Sequence, residues 1–367
     1  MKILHVITGL PKAAGTSVFC GEVANGLATM GHDVTIAVVN PDAPNLYPLD
    51  ERVKLVSISS ILTTNQLMTN DYNVVHIHGL WLPILHKVSA WAKGNNIPIV
   101  WSTHGMTAPW SMRHKWWKKL PAWLLYQRKD LKSADVIHCT TNQEVEWNRA
   151  LGLKKCFIAP LGTQLPEIHS HNPIHHNIQI LLFVGRIYPV KGLVNLVKAW
   201  GLCKPRSWKL RIVGPDQAGH RAELEVLSKE MGLCDSIEFV GPRYGKGLSQ
   251  EYDRCDCLVL PSFTENFGAT VVDALARGKP CIASAYTPWG DLPRCGCGWW
   301  VSNEPLKLSQ AINEAMSLSD EERAAMGARG RKLVEEKYTW KAVVSAMVKG
   351  YEEILNSIPN PILGKQV

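Results

Sequence analysis

The stretch PSFTENFGATVVDALARG, Pro261 to Gly278, sets two carboxylates, Glu265 and Asp273, eight residues apart around the start of a small-residue, apolar helix. Eight helical positions are a little over two turns, so the pair cannot close on one ligand atom and instead suits two parts of an extended ligand. The free N–H groups of Phe267, Gly268, Ala269 and Thr270 form the positive end of that helix, which attracts phosphate. A capping acid and a buried, satisfied acid are the plainer readings of the same two residues. In FVGRIYPVKG, Arg186 directly follows a strand and Lys191 comes five residues later, ahead of a glycine-led helix. A planar guanidinium fork beside a mobile ammonium fits a diphosphate, and a surface salt bridge is the competing use. In TGLPKAAGTS, Gly15 stands near a turn where backbone N–H groups can approach a phosphate, although an ordinary βα turn reads the same way. STHGM puts His104 at a strand edge, where it reads as a cleft group. VVHIHG puts His76 and His78 on one face of a strand, where a core histidine is equally at home.

Those residues need strand ends to hold them. The first part alternates short β-branched runs (KILHVI, DVTIAVV, RVKLVSI, NVVHIHG, PIVWSTHG, ADVIHCTT, KKCFIAPLG) with helical stretches, the pattern of βαβ units in a parallel sheet. TQLPEIHSHNPIHHNIQ has no sustained periodicity and reads as a linker. Its His169, His171, His175 and His176 lack carboxylate partners, so it is read as solvated chain and not as a metal site. The pattern then restarts with ILLFVG, WKLRIVG, SIEFVG, CDCLVLPS and KPCIAS. Two doubly wound domains are therefore expected, residues 1–168 and 177–345, with a final amphipathic helix over 346–367 packing back on the first. Ligands of open parallel sheets bind beyond the C-terminal strand ends, so the expected site is a cleft between facing domains.

Composition agrees with this organisation. A chain of 367 residues that is 46% hydrophobic exceeds what one core usually serves. No apolar run reaches the ~18 residues of a membrane span, and MKILHVITG reads as a first strand and not as a signal peptide, so a cytoplasmic protein is expected. The ten cysteines are scattered through strands and helices, and the pairs Cys255/Cys257 and Cys295/Cys297 lack the C-x-x-C spacing of zinc sites; they read as core thiols. A net charge of +8 is too small to announce nucleic-acid binding.

Taken together, the loop with Gly15 and the segments GHDVTIAVV, HIHG, THG, APLGT, FVGRIYPVKGL, RIVG, IEFVGP, PSFTENFG and ALARGKPCIAS resemble glycosyltransferase family 4, retaining nucleotide-sugar transferases of GT-B fold. The likeness runs over almost the whole chain. It implies that Arg186 and Lys191 hold the donor diphosphate, with Asn266, Phe267 and Gly268 assisting through the helix start. It implies that Glu265 lies near the donor sugar, Asp273 on the ribose hydroxyls, His104 at the sugar and reacting centre, and Gly15 beside the phosphates. Asp273 departs from the family's usual glutamate by one methylene. The sequence has no D-x-D, so no metal or other cofactor is expected; cations and the helix end stand in for it. The expected donor is a UDP- or GDP-sugar.

For the acceptor, APWSMRHKWWKKLPAWLLYQRKDLK mixes Trp110, Trp116, Trp117 and Trp123 with Arg113, Lys115, Lys118 and Lys119. Such a segment suits the headgroup zone of an anionic bilayer, giving peripheral contact through 110–132 at the cytoplasmic face of the inner membrane. A lipid-linked saccharide acceptor for lipopolysaccharide, O-antigen or exopolysaccharide would fit there; tryptophans packed inward, or one stacking on a sugar, are the other readings. The competing functions are a nucleotide-sugar 2-epimerase and a catalytically silent sugar-nucleotide-binding subunit.

Overall fold

The computed structural model describes residues 1–12, 14–63, 72–167 and 178–357. The chain divides into two compact units, residues 1–162 with 340–367, and residues 163–339. The division falls at Gly162/Thr163, where the stretch expected as the linker begins, and its His169, His171, His175 and His176 lie outside the described residues.

The first unit is built on strands β1 (Lys2–Val6), β2 (Asp33–Val38), β3 (Lys54–Ser57), β4 (Val74–His78), β5 (Ile99–Ser102), β6 (Val136–Cys139) and β7 (Cys156–Ile158). They form one parallel sheet of order β3-β2-β1-β4-β5-β6-β7. Strand alternation sorts its side chains. Leu4, Val6, Val75, Ile77, Ile99, Trp101 and Ile137 face one core, with Leu85 and Val88 of helix Pro83–Gly94. Ile3, Val34, Ile36, Val74, Val100 and Val136 face the other, which is covered by helices Gly15–Thr29 and Trp340–Ser357. The final helix thus begins at Trp340, ahead of the expected 346. Residues 358–367, the rest of the expected segment, lie outside the described residues. Its Val344 packs so closely on the first helix that a Cβ at Gly26 would sit 2.4 Å from Val344 Cγ2.

The second unit repeats the design with β8 (Gln179–Val184), β9 (Trp208–Val213), β10 (Ile237–Gly241), β11 (Cys257–Leu260), β12 (Cys281–Ser284) and β13 (Gly298–Val301). Their parallel order is β10-β9-β8-β11-β12-β13. The sequence reading found five of these strands. It missed β13, GWWV, because the run is short and glycine-led; it pairs with β12 alone. In both sheets the strand order reverses beside the first strand, between β1 and β4 and between β8 and β11, which opens a crevice at the C-terminal strand ends.

Candidate functional site

In the second unit the expected residues gather at the crevice between β8 and β11. The chain leaves β8 through Gly185, exposes Arg186, and turns in a short 3₁₀ segment, Pro189–Lys191. Arg186 Nη1 donates to Gln217 Oε1 at 2.9 Å. Gly192 follows in left-handed conformation, φ +70°, and a Cβ there would lie 2.1 Å from Pro261 O, so only glycine lets this turn close on the end of β11. Phe263 N donates to Val190 O at 2.9 Å and ties the two loops together. The result is a direct ion pair: Lys191 Nζ reaches Glu265 Oε1 at 2.5 Å, and Ser262 Oγ donates to the same oxygen at 2.8 Å.

The helix after that loop is short, Ala269–Leu275, with Gly268 as its left-handed first cap and no side-chain cap. A Cβ at Gly268 would stand 2.8 Å from Leu260 Cδ2 and 2.9 Å from Trp289 Nε1. Phe267 is anchored from behind: its ring packs edge-on to Trp289 and Tyr338, and its carbonyl accepts from Trp289 Nε1 at 2.6 Å. Asn266 is half-buried beside it. Asp273 is turned inward, and its Oδ1 accepts from Thr163 Oγ1 at 2.6 Å. Burial pushes the Asp273 carboxyl up, against the opposing pull of the Thr163 hydrogen bond and the Arg277 charge. Glu265 and Asp273 therefore sit in separate surroundings, one on a cation at the crevice and one on a hydroxyl in the wall. Gln217, Ser262 and Thr163 escaped the sequence reading, since single polar residues in loops carry no periodic signal.

In the first unit, Gly15 opens helix Gly15–Thr29, and an added Cβ would meet nothing within 4 Å. A cavity of about 100 Å³ lies at the β1/β4 crevice, lined by Thr8, Gly9, Thr16, His78, His104 and Met106 among others. His104 follows β5 in left-handed backbone conformation, φ +48°, a strained state that collects at functional sites. Burial holds its ring down to about 4, against the Glu144 carboxylate, which acts to raise it. Behind it His5, His76, His78, Ser102 and His138 point from four neighbouring strands into one face of the sheet. His78 Nδ1 lies 3.0 Å from His104 Nε2, and His5 Nδ1 lies 2.9 Å from His78 Nε2. His76 is held by Tyr351 Oη at 2.7 Å and Ser102 Oγ at 2.6 Å, and Ser102 Oγ reaches His138 Nδ1 at 2.7 Å. Among the described residues His5, His76 and His78 bring ligand-type atoms within 4.8 Å of one another. Both nitrogens of His76 are engaged by hydroxyls, the arrangement of a hydrogen-bonded polar core. His5 and His138 were missed because each reads as one polar residue inside an apolar strand.

The tryptophan-rich segment divides. Trp123 packs against Trp81, whereas Trp116 is 55%, Trp117 59%, Leu124 69% and Leu125 78% exposed. These follow helix Trp116–Ala122 into one π-helical turn, Trp123–Gln127. Arg113, Lys115 and Lys118 are exposed beside them, and Arg128, Lys129 and Lys132 line a shallow cavity of about 490 Å³ with Leu124. Between residues 109 and 133 the one acid, Asp130, is buried against His86. Among the described residues no helix is long and apolar enough to cross a membrane.

Two doubly wound units, each with its polar residues at the strand-order reversal, define the GT-B class. Residues 13–165 match the family model described as Glycosyltransferase Family 4, and residues 165–333 match that of glycosyl transferases group 1. The chain belongs to the family-4 glycosyltransferases of GT-B fold. It is 36% identical over 182 residues to a D-inositol 3-phosphate glycosyltransferase of Actinosynnema mirum, a match covering 44% of this chain and 43% of that one, less than half the relative's length. It is 25% identical over 399 aligned positions to an uncharacterized glycosyltransferase of Methanocaldococcus jannaschii, covering 96% of this chain and 98% of that one. In fold it resembles Anabaena HepE in complex with UDP, with a TM-score of 0.74 at 15% identity, covering 96% of this chain and all of the other.

Proposed function

We propose that this glycosyltransferase moves a hexose or related sugar, with retention, from a UDP- or GDP-sugar to a saccharide acceptor. The observation that carries the reading is the cluster of Arg186, the Lys191–Glu265 pair and the uncapped helix start at Gly268 on one sheet crevice. Breaking the glycosidic C–O bond leaves charge on a nucleoside diphosphate. Groups already aimed at that charge stabilise the transition state without reorganising. Arg186 offers a planar fork, and Lys191, which carries three N–H donors, shares them between Glu265 and a phosphate oxygen. Glu265 lies near the donor sugar, Asp273 keeps Oδ2 for a ribose hydroxyl, and Gly15 lets backbone approach the phosphates. His104 supplies a neutral ring to the donor sugar. With retention the acceptor hydroxyl attacks the face from which the diphosphate leaves, its proton passing to a phosphate oxygen, so neither a protein nucleophile nor a metal is needed.

The acceptor in this reading is a lipid-linked saccharide of a cell-surface polysaccharide, lipopolysaccharide, O-antigen or exopolysaccharide, met at the cytoplasmic face of the inner membrane. Its support is the exposed Trp116, Trp117, Leu124 and Leu125 among unopposed cations, the pairing of wedge and charge that anionic headgroups favour. A thermal-shift panel of UDP, GDP, dTDP, CMP and ADP tests the donor. The matching nucleotide at about 100 times its dissociation constant adds roughly 2.7 kcal/mol, and that gain disappears in Arg186→Ala. A panel with no response would sink the reading.

A further inference from the structure

His104, His78 and His5 form a continuous line of rings. His104 Nε2 meets His78 Nδ1 at 3.0 Å, and His78 Nε2 meets His5 Nδ1 at 2.9 Å. The successive rings stack with centroids 5.3 and 5.2 Å apart. Each N···N contact needs one hydrogen, and a neutral imidazole owns one. The line therefore has two self-consistent states. Either every ring carries its hydrogen on Nε2 or every ring carries it on Nδ1, and the buried end reports at the cavity.

Two features of the surroundings choose between them. His5 Nε2 is buried with no hydrogen-bond partner, and an orphaned buried N–H is rarer in folded proteins than an under-satisfied acceptor. Putting the hydrogens on Nδ1 leaves a lone pair there and no stranded donor. The second feature is Glu144, fully buried, whose carboxylate is held by Thr103 Oγ1, Gly105 N, Thr140 N and Thr140 Oγ1. Its charge is felt at His104 and at neither His5 nor His78. With every hydrogen on Nδ1 the N–H dipoles all run toward His104, so the positive end of the line lies at the ring on which that carboxylate's charge acts.

We propose that His78 and His5 are positioning residues that fix His104 as its Nδ1–H tautomer, so that its free nitrogen presents a hydrogen-bond donor to a ligand oxygen and not a base. This rests on the reading that His104 meets the donor sugar. It narrows the chemistry: His104 holds a hydroxyl or phosphate oxygen, and the acceptor's proton goes elsewhere.

The test is long-range ¹H–¹⁵N correlation of the histidine rings in the full chain, with assignment by His104→Phe and His78→Leu. The proposal expects hydrogen on Nδ1 of His104 in the unmutated protein; hydrogen on Nε2 overturns it. In His78→Leu the tautomer preference is lost and kcat falls about tenfold with donor KM little changed. His78→Asn, whose amide N–H falls where Nδ1–H was, restores both. Unchanged tautomer and kinetics in His78→Leu overturn the positioning role. Full activity of His104→Phe would instead remove His104 from the donor site, while the ring spectrum still decides the tautomer.

Discussion

Thr163 Oγ1 donates to Asp273 Oδ1 across 2.6 Å, so the shorter of the two acids is held by a hydroxyl inside its own unit. Burial raises this carboxyl, and the Thr163 bond is the larger of the two forces opposing that rise. A carboxyl held above its unfolded value stabilises the fold most in acid, and that contribution is lost as pH rises through the raised value. Thr163→Val is expected to cost about 1.5–3 kcal/mol at pH 7, as for a hydrogen bond to a charged group, and less at pH 4, where a larger share of this raised carboxyl carries its proton. Urea unfolding at the two pH values measures this. An equal loss at both would mean that the hydroxyl only packs. Asp273→Asn should weaken nucleotide binding without loss of stability at pH 7.

The Lys191–Glu265 pair couples the loops after β8 and β11. Lys191→Met, Glu265→Gln and the double variant should give a stability coupling of about 0.5–3 kcal/mol. Each single variant should lose about 10² to 10³ in turnover. Arg186, exposed, should change stability by less than about 0.5 kcal/mol on truncation yet lose turnover to a like degree. Full turnover in folded Arg186→Ala contradicts the diphosphate assignment.

Two glycines separate packing from function. Gly192→Ala meets Pro261 O at 2.1 Å in left-handed backbone, so it should lose more than the ~1–2 kcal/mol of the conformation alone. Gly15→Ala has open space and should fold normally while weakening donor binding. Unaltered nucleotide affinity in Gly15→Ala would return that residue to an ordinary turn.

Acid should unfold the first unit early. His5 is held down to about 3 and His104 to about 4 by burial, and His76, His78 and His138 are lowered for the same reason. Unfolding releases rings that bind protons near 6.5, so stability present above that pH falls as pH drops toward the folded values. The slope is about 1.4 kcal/mol per pH unit for each group. Thermal unfolding from pH 7.5 to 5 should show the loss; a flat profile would mean that the rings are not buried neutral.

Because Trp116, Trp117, Leu124 and Leu125 are exposed, changing Trp117 and Leu125 to Ser should leave melting unchanged and abolish flotation with phosphatidylglycerol vesicles. Wild-type binding should weaken with salt. Absence of wild-type flotation at low salt removes the membrane reading.

The sequence by itself determined the two parallel-sheet units and the loops that bear Arg186, Lys191, Glu265 and His104. Strand alternation, glycine punctuation and strand-end polarity are local properties written in short windows. It also put His76 and His78 on one face. Only the tertiary structure decided what those side chains touch. His5 and His78 come from two strands and His104 from the turn after a third, and Thr163 meets Asp273 across 110 positions of chain. Such partnerships depend on sheet register and on which helix closes over which face, and no local pattern encodes them. The same reason explains the tryptophans: composition marked Trp117 and Trp123 alike, and packing against Trp81 took one inward and left the other at the surface.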